Sequence, residues 1–185
     1  VLGKKDNQEC SPEWASQITN ISVDSIKELA ENIFEAKLYS PKISSNTCPR
    51  QFINILPSSD WGHVMRRPMS IASQGDDHIS IIFKVIGEGT KIMRYWETGE
   101  KVDIIGPVGN KWNHYTNTLP ILVGGGVGIA PILNLHNELN IQNIDHILIM
   151  GARKASEHFL EHCPKKNIFL TTDDRSLGIY GNVIN

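Results

Sequence analysis

Residues 120–132 read PILVGGGVGIAPI: a short apolar run, three consecutive glycines, a fourth after Val127, and a proline at 131. ILVG (121–124) has the continuous apolar character of a buried strand, while GIAPILNLHNEL (128–139) spaces Ile129, Ile132, Leu135 and Leu139 for one helix face. Pro131 falls in the first helical turn, where a missing N–H does no harm. The glycines therefore occupy a strand-to-helix turn. Glycine there permits positive φ and clears every Cβ from between the backbone and a guest. The positive end of the following helix suits an anion such as a pyrophosphate. Gly124, Gly125, Gly126, Val127 and Gly128 are accordingly candidate nucleotide contacts. The spacing is not G-x-G-x-x-G, because Ile129 stands at the last glycine, and no Lys-Ser/Thr pair follows to make a Walker loop. A tight turn without a ligand accounts for the same residues, so the stretch decides the local fold more firmly than its guest.

Downstream, HILIMG (146–151) and NIFLTTDD (167–174) read as strands and ASEHFLEHC (155–163) as a helix between them. Strand, helix, strand, helix, strand is half of a doubly wound parallel sheet. Three parallel strands leave a sheet edge and apolar surface poorly covered, so the expectation is a truncated chain or a partner that completes it. Gly151 ends its strand on the same edge as the glycine loop, where open sheets bind ligands. Arg153 and Lys154 beyond it either meet a ribose 2′-phosphate or are solvated surface. Asp173 and Asp174 either accept from a ribose or nicotinamide or simply form a turn. No acidic residue closes the 146–151 strand, which leaves NADH and NADPH both open.

The first half has a different grain. Residues 1–22 are polar, and SIKELAEN (25–32) fits either a helical turn or an irregular strand. NIFEAKLYS (32–40), QFINILP (51–57), RRPMSIAS (66–73), HISIIFKVI (78–86) and KVDIIGPVG (101–109) are short strand candidates between Pro, Gly, Ser and Asp turns, with one helix from Thr90 to about Trp96. The fold class expected is a small antiparallel β-barrel followed by a partial α/β parallel-sheet nucleotide-binding domain. The divisions are a polar extension over 1–24, the barrel over 25–112 and the α/β domain over 113–185.

Arg67 offers a planar fork matched to phosphate, and the Ser70 hydroxyl or backbone suits the edge of a flavin ring. Strand alternation puts Arg67 and Met69 on one side and Ser70 on the other unless the strand bends at Pro68. Gly89, with Thr90 as a helix cap, presents N–H groups to a phosphate. Each piece alone is equally an ordinary surface arginine or an ordinary cap. Their order, two anion loops on adjoining domains, fits two dinucleotides meeting at a cleft.

The chain has 185 residues, 40% hydrophobic and 21% charged, with formal charge −2 from 18 basic and 20 acidic side chains. It shows no basic run for nucleic acid, no apolar run of membrane-span length and no signal-peptide core. Cys10, Cys48 and Cys163 are too far apart and too few for a disulfide framework or an iron–sulfur site, and a reducing, cytoplasmic setting is the default. His63, His78 and His114 read as surface or turn residues. Trp61, Trp96 and Trp112 read as core more readily than as partner contacts.

RRPMSI (66–71) resembles the R-P-x-S flavin motif of the ferredoxin–NADP+ reductase superfamily. IFKVIGEGT resembles its strand-plus-G-T motif, DIIGPVGN its G-P-L-G-N segment, and ILVGGGVGIAPI its nicotinamide-domain signature. CPRQFINI (48–55) is similar to a P-G-Q-F strand with Arg50 in place of glycine, and TDDRS carries Arg175 where the family has glycine. The resemblance runs from about Leu29 onward and is nearest to the superfamily's dihydroorotate-dehydrogenase electron-transfer branch. It implies FAD contacts from Arg67, Pro68, Met69 and Ser70. It implies that Ile82, Phe83 and Lys84 line the adenosine or pyrophosphate side, and that Gly89 and Thr90 bind phosphates. Gly124 to Gly128, with Asp173, would receive NAD(H), with NADP(H) not excluded. In such proteins NADH passes hydride to the flavin, and electrons then go singly to a [2Fe–2S] cluster and on to FMN in a catalytic partner that oxidises dihydroorotate. The family's carboxyl-terminal cysteine cluster is absent from this chain. No catalytic acid or base is implied, because hydride passes directly between cofactors. Other readings are a flavin reductase serving a hydrogenase or a ferredoxin-linked oxidoreductase, and a non-catalytic flavin-binding module.

Overall fold

The apolar alternation of the first half closes into a barrel. A computed structural model describes residues 21–58, 65–113, 115 and 117–184, together with the backbone of β1 (Lys4–Lys5) and β2 (Gln8–Glu9), which pair antiparallel. Trp61, His63, His114 and Cys10 lie outside the described residues. The barrel strands are β3 (Ile21–Ala30), β4 (Ile33–Tyr39), β5 (Phe52–Leu56), β6 (Arg67–Gln74), β7 (His78–Lys84) and β8 (Lys101–Val108), in the closed order β3-β4-β7-β6-β5-β8. A short helix, α1 (Pro41–Ser44), follows β4, and α2 (Glu88–Arg94) follows β7. Leu38, Ile43, Ile53, Ile55, Ile71, Ile79, Ile81, Met93 and Ile104 fill the interior. Each such burial contributes roughly 1.5–3 kcal/mol of hydrophobic free energy.

The SIKELAEN stretch is strand. Register shifts between Val23 and Ser25 and between Glu28 and Ala30 put successive side chains on unexpected faces, which is why its pattern reads as neither period. The strand begins at Ile21, and buried Ile21 and Val23 belong to the barrel rather than to a polar extension ending at 24. At α2 the cap is Gly87, not Thr90. Thr90 stands in the first turn, and its Oγ1 accepts from the Ile86 and Gly87 N–H groups at 3.0 and 3.2 Å.

The second half is a parallel sheet ordered β12-β11-β10-β9, from β9 (Ile121–Gly125), β10 (Ile147–Ala152), β11 (Ile168–Thr172) and the two-residue β12 (Ile179–Tyr180). The sheet thus has a fourth strand beyond the three expected. Residues Gly126–Ile129 form a 3₁₀ turn that feeds α3 (Ala130–Ile141). Leu122, Leu148, Met150 and Leu170 form a core with Ile129, Leu135 and Leu139. On the other face of β9, Ile121 and Val123 stay exposed.

The expected helix over 155–163 does not form. Its place is taken by 3₁₀ turns at Ala155–Glu157 and Pro164–Lys166. Side chains there bond to strand backbone instead of leaving the segment free to wind. His158 Nε2 pairs with the Thr171 carbonyl at 2.9 Å, and His162 Nδ1 accepts from the Leu170 N–H at 3.0 Å. Glu157 is drawn inward by two cations, described below.

Helix α3 packs on β6, joining the domains through Ile33, Ala72, Ile82 and Ala130, with Val127, Leu133 and Phe159 partly buried around them. Among the described residues no helix is long and apolar enough to cross a membrane.

Candidate functional site

Strands β6 and β7 pair only from Ile71 with Ile81 to Gln74 with Ile79. Upstream of Ile71, β6 pairs with β5 alone, from Arg67 opposite Ile55 to Ser70 opposite Phe52. Downstream of Ile81, β7 pairs with β4 alone, from Ile82 opposite Glu35 to Lys84 opposite Ile33. The two strands therefore splay, and each turns an unladdered backbone edge toward the gap. Polar backbone left without a ladder partner needs water or a ligand to satisfy it. In the gap lies a cavity of about 220 Å³, lined by Pro68, Met69, Ser70, Ile82, Phe83, Lys84, Ile86 and Thr90 from the barrel and by Val127 and Ala130 from the second domain. Pro68, Met69 and Ser70 all line it, while the pairing of this stretch with β5 stays in regular register, so the strand presents its edge rather than one face.

Arg67 lies just outside this lining. A Cβ at Gly89 would come within 2.9 Å of Arg67 Nε and 3.2 Å of Pro57 Cγ, so the absence of a side chain at 89 is what lets the arginine lie across the start of α2. Its Nη1 donates to the Met65 carbonyl at 2.8 Å, and among the described residues the remaining donors of the fork have no hydrogen-bonded or ion-paired partner. Thr90 lines the cavity while its hydroxyl serves the Ile86–Gly87 turn. Arg67 and Gly89 lie together just beyond this cavity.

The glycine loop divides by role. Gly124 is buried, and a Cβ there would meet Ile129 Cα and Cδ1 at 2.8 Å, so this glycine exists for close packing of strand on helix. At Gly125, Gly126 and Gly128 an added Cβ meets nothing within 4 Å, and Gly126 has φ +53°. Those three expose bare backbone. Gly125, Gly126 and Val127 line a second cavity of about 410 Å³ with Lys84, Gly151, Ala152, Arg153, Glu157, Asp173, Asn182 and Val183. Gly124 and Gly128 are not among its lining residues. Lys84 and Val127 belong to both cavities, which therefore adjoin across the domain junction.

The charges at that junction are tied together. Glu157, about 5% exposed, accepts from Lys84 Nζ at 2.8 Å, from Arg153 Nε at 3.3 Å and from Arg153 Nη2. The Arg153 guanidinium first, and Lys84 with it, hold the Glu157 carboxyl at about 2, well below the ordinary carboxylate value, against the opposing effect of burial. Lys154 Nζ lies 2.6 Å from Glu31 Oε2, which also accepts from Ser156 Oγ at 2.7 Å, while the Glu31 N–H donates to the Ser156 carbonyl at 2.9 Å. Glu31 and Lys84 are barrel residues, so both clusters cross the junction. Asp174 is occupied by the Ser176 N–H at 3.0 Å and by the Ser176 hydroxyl, whereas among the described residues Asp173 has no hydrogen-bonded or ion-paired partner for its carboxylate.

Sequence reasoning passed over Glu157, Asn182, Val183, Ile86 and Ala130. Glu157 sits in a segment that reads as a helix, and the others reach their cavities only through the tertiary fold. His78 is a half-buried strand residue against Asp24, Asp77 and Tyr39, and Trp96 is core, its Nε1 donating to the Pro57 carbonyl at 3.0 Å.

The six-stranded closed barrel followed by a parallel sheet defines a fold of the ferredoxin–NADP+ reductase type. Solved structures agree on the fold: the NADH-dependent reduced ferredoxin-NADP oxidoreductase superposes with a TM-score of 0.77 at 24% identity, over 90% of this chain and 61% of that one. Phthalate dioxygenase reductase superposes at 0.70 with 17% identity, over 85% and 52%. No family profile matches the chain. In sequence it is 32% identical over 174 residues to the dihydroorotate dehydrogenase B (NAD(+)) electron transfer subunit of Fusobacterium nucleatum, spanning 90% of this chain and 67% of the relative. It is 32% identical over 165 residues to the same subunit of Enterococcus faecalis, spanning 85% and 62%. The chain belongs to the family of dihydroorotate dehydrogenase B (NAD(+)) electron transfer subunits, and it spans about two thirds of the length of these curated relatives.

Proposed function

We propose that this chain binds FAD in the cavity between β6 and β7 and a nicotinamide dinucleotide over the glycine loop, and so moves electrons between NAD(H) and a dihydroorotate dehydrogenase catalytic subunit. The observation that carries the reading is the pair of adjoining cavities with Lys84 and Val127 in their common wall. Bound FAD supplies acceptance of a hydride from NADH and onward release of single electrons. The protein's part is to hold two ring systems in contact. Pro68, Met69 and Ser70 with Ile82, Phe83 and Lys84 offer strand-edge backbone and apolar side chains to a flat polar ring. Arg67 supplies a fork for phosphate beside Gly89 and Thr90. Gly125 and Gly126, with the Val127 backbone, give access to the second dinucleotide's phosphates at the start of the turn into α3. Asp173 accepts from a ribose hydroxyl. Val127 and Ala130 cover the first cavity from the second domain and exclude water from the ring contact.

The partner in this reading is an FMN-containing catalytic subunit in a hetero-oligomer, in the cytoplasm. A [2Fe–2S] cluster does not fit the residues present: it takes four protein ligands, and the chain has three widely separated cysteines, so no step is routed through it. The test is anaerobic. Purified chain is titrated with FAD, then with NADH, and the flavin absorbance is followed; the reduced sample is then mixed with the catalytic subunit. Saturable flavin uptake and bleaching by NADH are expected. Folded chain that takes up no flavin sinks the reading, and bleaching with reoxidation only by some other acceptor assigns the chain to a different reductase complex.

A further inference from the structure

The chain leaves the barrel for the second domain just after β8, and the turn into β5 grips it there. Gln51 Nε2 donates to the Gly109 carbonyl at 2.9 Å, while Gln51 Oε1 accepts from the Cys48 N–H at 2.8 Å. The Phe52 ring lies against Gly109, where an added Cβ would come within 3.2 Å of it. The Trp112 N–H donates to the Pro49 carbonyl at 3.3 Å. All of these contacts come from residues 48–52, and Phe52 pairs with Ser70 in the wall of the first cavity. Glu157 and Glu31 tie the body of the second domain to the barrel, but among the described residues neither is bonded to this connecting chain.

Arg50 is the unexpected member of the group. It sits at φ +88°, a conformation that costs a residue with a Cβ and costs glycine nothing. Such a residue persists only where its surroundings hold it. Its guanidinium lies over the Trp112 ring, 4.9 Å from the centroid. Trp112 packs in turn against the second-domain core that contains Leu122 and Leu135. The Trp112 Nε1 is buried with no hydrogen-bond partner among the described residues, so contacts on the ring place it rather than a polar anchor. One indole thus joins a barrel cation to the core of the other domain.

We propose that Arg50 is a positioning residue that clamps the interdomain connection. Its guanidinium pins Trp112 and so fixes how the second domain leaves the barrel and faces the first cavity. Arg50 and Trp112 line neither cavity, so any effect on ligands passes through the domain alignment. The effect on electron transfer rests on the function proposed above; the clamp itself does not.

Two substitutions separate clamp from stability. Arg50→Gly removes the contact and the strain together, and is expected to unfold in urea close to the native chain. Arg50→Ala removes the contact and keeps the strain, and is expected to be less stable. Hydrogen exchange at the Trp112 amide, on the chain as purified, is expected to speed up by about two- to fivefold in both variants. Single-turnover reduction of bound FAD at saturating NADH is expected to slow in both by up to about fivefold, with the NADH dissociation constant unchanged. Arg50→Lys, which keeps a cation over the ring, recovers part of each loss. Native-like exchange at Trp112 in both the glycine and alanine variants overturns the clamp. So does a reduction rate that follows stability, falling in Arg50→Ala but not in Arg50→Gly. A native chain whose flavin NADH does not reduce sinks the proposed function instead, and the exchange measurement then decides the clamp by itself.

Discussion

Gly124 and Gly125 are chain neighbours with opposite reasons for being glycine, and one substitution separates them. At Gly124 an alanine Cβ would lie 2.8 Å from Ile129 Cα and Cδ1 and 3.1 Å from the Ile129 N, and two of those three atoms are backbone. Real contacts of that kind do not fall under 3.0 Å, so the 3₁₀ turn or the start of α3 must move. Forced overpacking of this sort costs about 1–3 kcal/mol. In a domain of this length that lowers the melting temperature by roughly 2–4 °C per kcal/mol. At Gly125 the same Cβ meets nothing within 4 Å, and the residue has φ −108° and ψ 131°, which any L-residue adopts. Gly125→Ala is therefore expected to be neutral or to stabilise by about 0.4–1 kcal/mol, through the lower entropy of the unfolded chain. Its cost appears only with ligand, since the methyl projects where phosphate must approach the backbone. The assay is thermal and urea unfolding of both variants without ligand, followed by calorimetric titration with NADH. Gly124→Ala loses stability; Gly125→Ala keeps it and loses dinucleotide affinity by at least about tenfold, the equivalent of 1.4 kcal/mol. Equal destabilisation by both variants refutes the division of roles, and unaltered NADH binding in Gly125→Ala refutes the placement of the phosphate.

Arg67→Ala removes a charge-assisted contact worth about 1.5–3 kcal/mol, so FAD affinity should fall by about 10- to 100-fold with little change in melting temperature; unweakened FAD binding removes Arg67 from the phosphate site. Arg175 sits at φ +66° with its guanidinium on Tyr180, so Arg175→Gly relieves about 1 kcal/mol of left-handed strain and forfeits about 0.5–1 kcal/mol of cation–π contact. A double-mutant cycle with Tyr180→Leu should return that coupling, and zero coupling refutes the compensation. His136 Nδ1 and His146 Nε2 share a hydrogen bond at 2.7 Å, and His146 Nδ1 donates to the Ile144 carbonyl at 2.7 Å. Burial first, then His146, lowers the His136 pKa. The unfolded chain therefore binds the proton more readily, and this contribution is complete above about 6.5 and fades as pH falls. His136→Gln should flatten that part of the stability profile, and an identical profile in the variant refutes the assignment. Glu157 acts in a lower window: its carboxyl, at about 2 when folded against the ordinary 4.5, contributes stability that is complete above 4.5 and lost as pH falls toward 2. Glu157→Gln should remove that phase from an acid titration, and persistence of the phase places it elsewhere.

The barrel and the glycine turn were legible because each obeys a local rule. Ile53, Ile55, Ile79 and Ile81 alternate inward, and Ile129, Leu135 and Leu139 keep helical spacing. Pro68–Ser70, Ile82–Lys84, Thr90 and Val127 stood out as motifs, and the fold brings them around one cavity. What failed were places where tertiary contacts overrule local pattern. Bulges in β3 hid its period. The 155–163 segment carries helical apolar spacing, yet His158 and His162 are held by β11 backbone and Glu157 by Lys84 across the junction. Gly124 could not be told from Gly125, because the atom that decides, Ile129 Cα, is local in sequence but its approach is set by the turn. Arg153 and Lys154 showed their charge in the sequence but not their partners.

Those partners also bear on how the two domains keep their alignment. An apolar contact of Ile33, Ala72, Ile82 and Ala130 sets the distance between them but fixes orientation poorly, since hydrophobic burial is non-directional. Direction comes from the two carboxylates. Glu157 ties Lys84 of the barrel to Arg153, and Glu31 takes Lys154 and Ser156 while its own N–H donates to the Ser156 carbonyl. Both carboxyls are held below their ordinary pKa by those partners, Lys154 and Ser156 leading for Glu31 and Arg153 leading for Glu157. Both carboxyls are therefore ionised throughout the neutral range. Two domains that hold two rings in contact, as proposed above, need that constancy more than they need binding energy at the junction. On this argument the two carboxylates hold the ring-to-ring geometry of the proposed function. Glu157→Gln should then slow flavin reduction at saturating NADH, which single-turnover kinetics can separate from any effect on binding, and an unchanged rate refutes the orienting role.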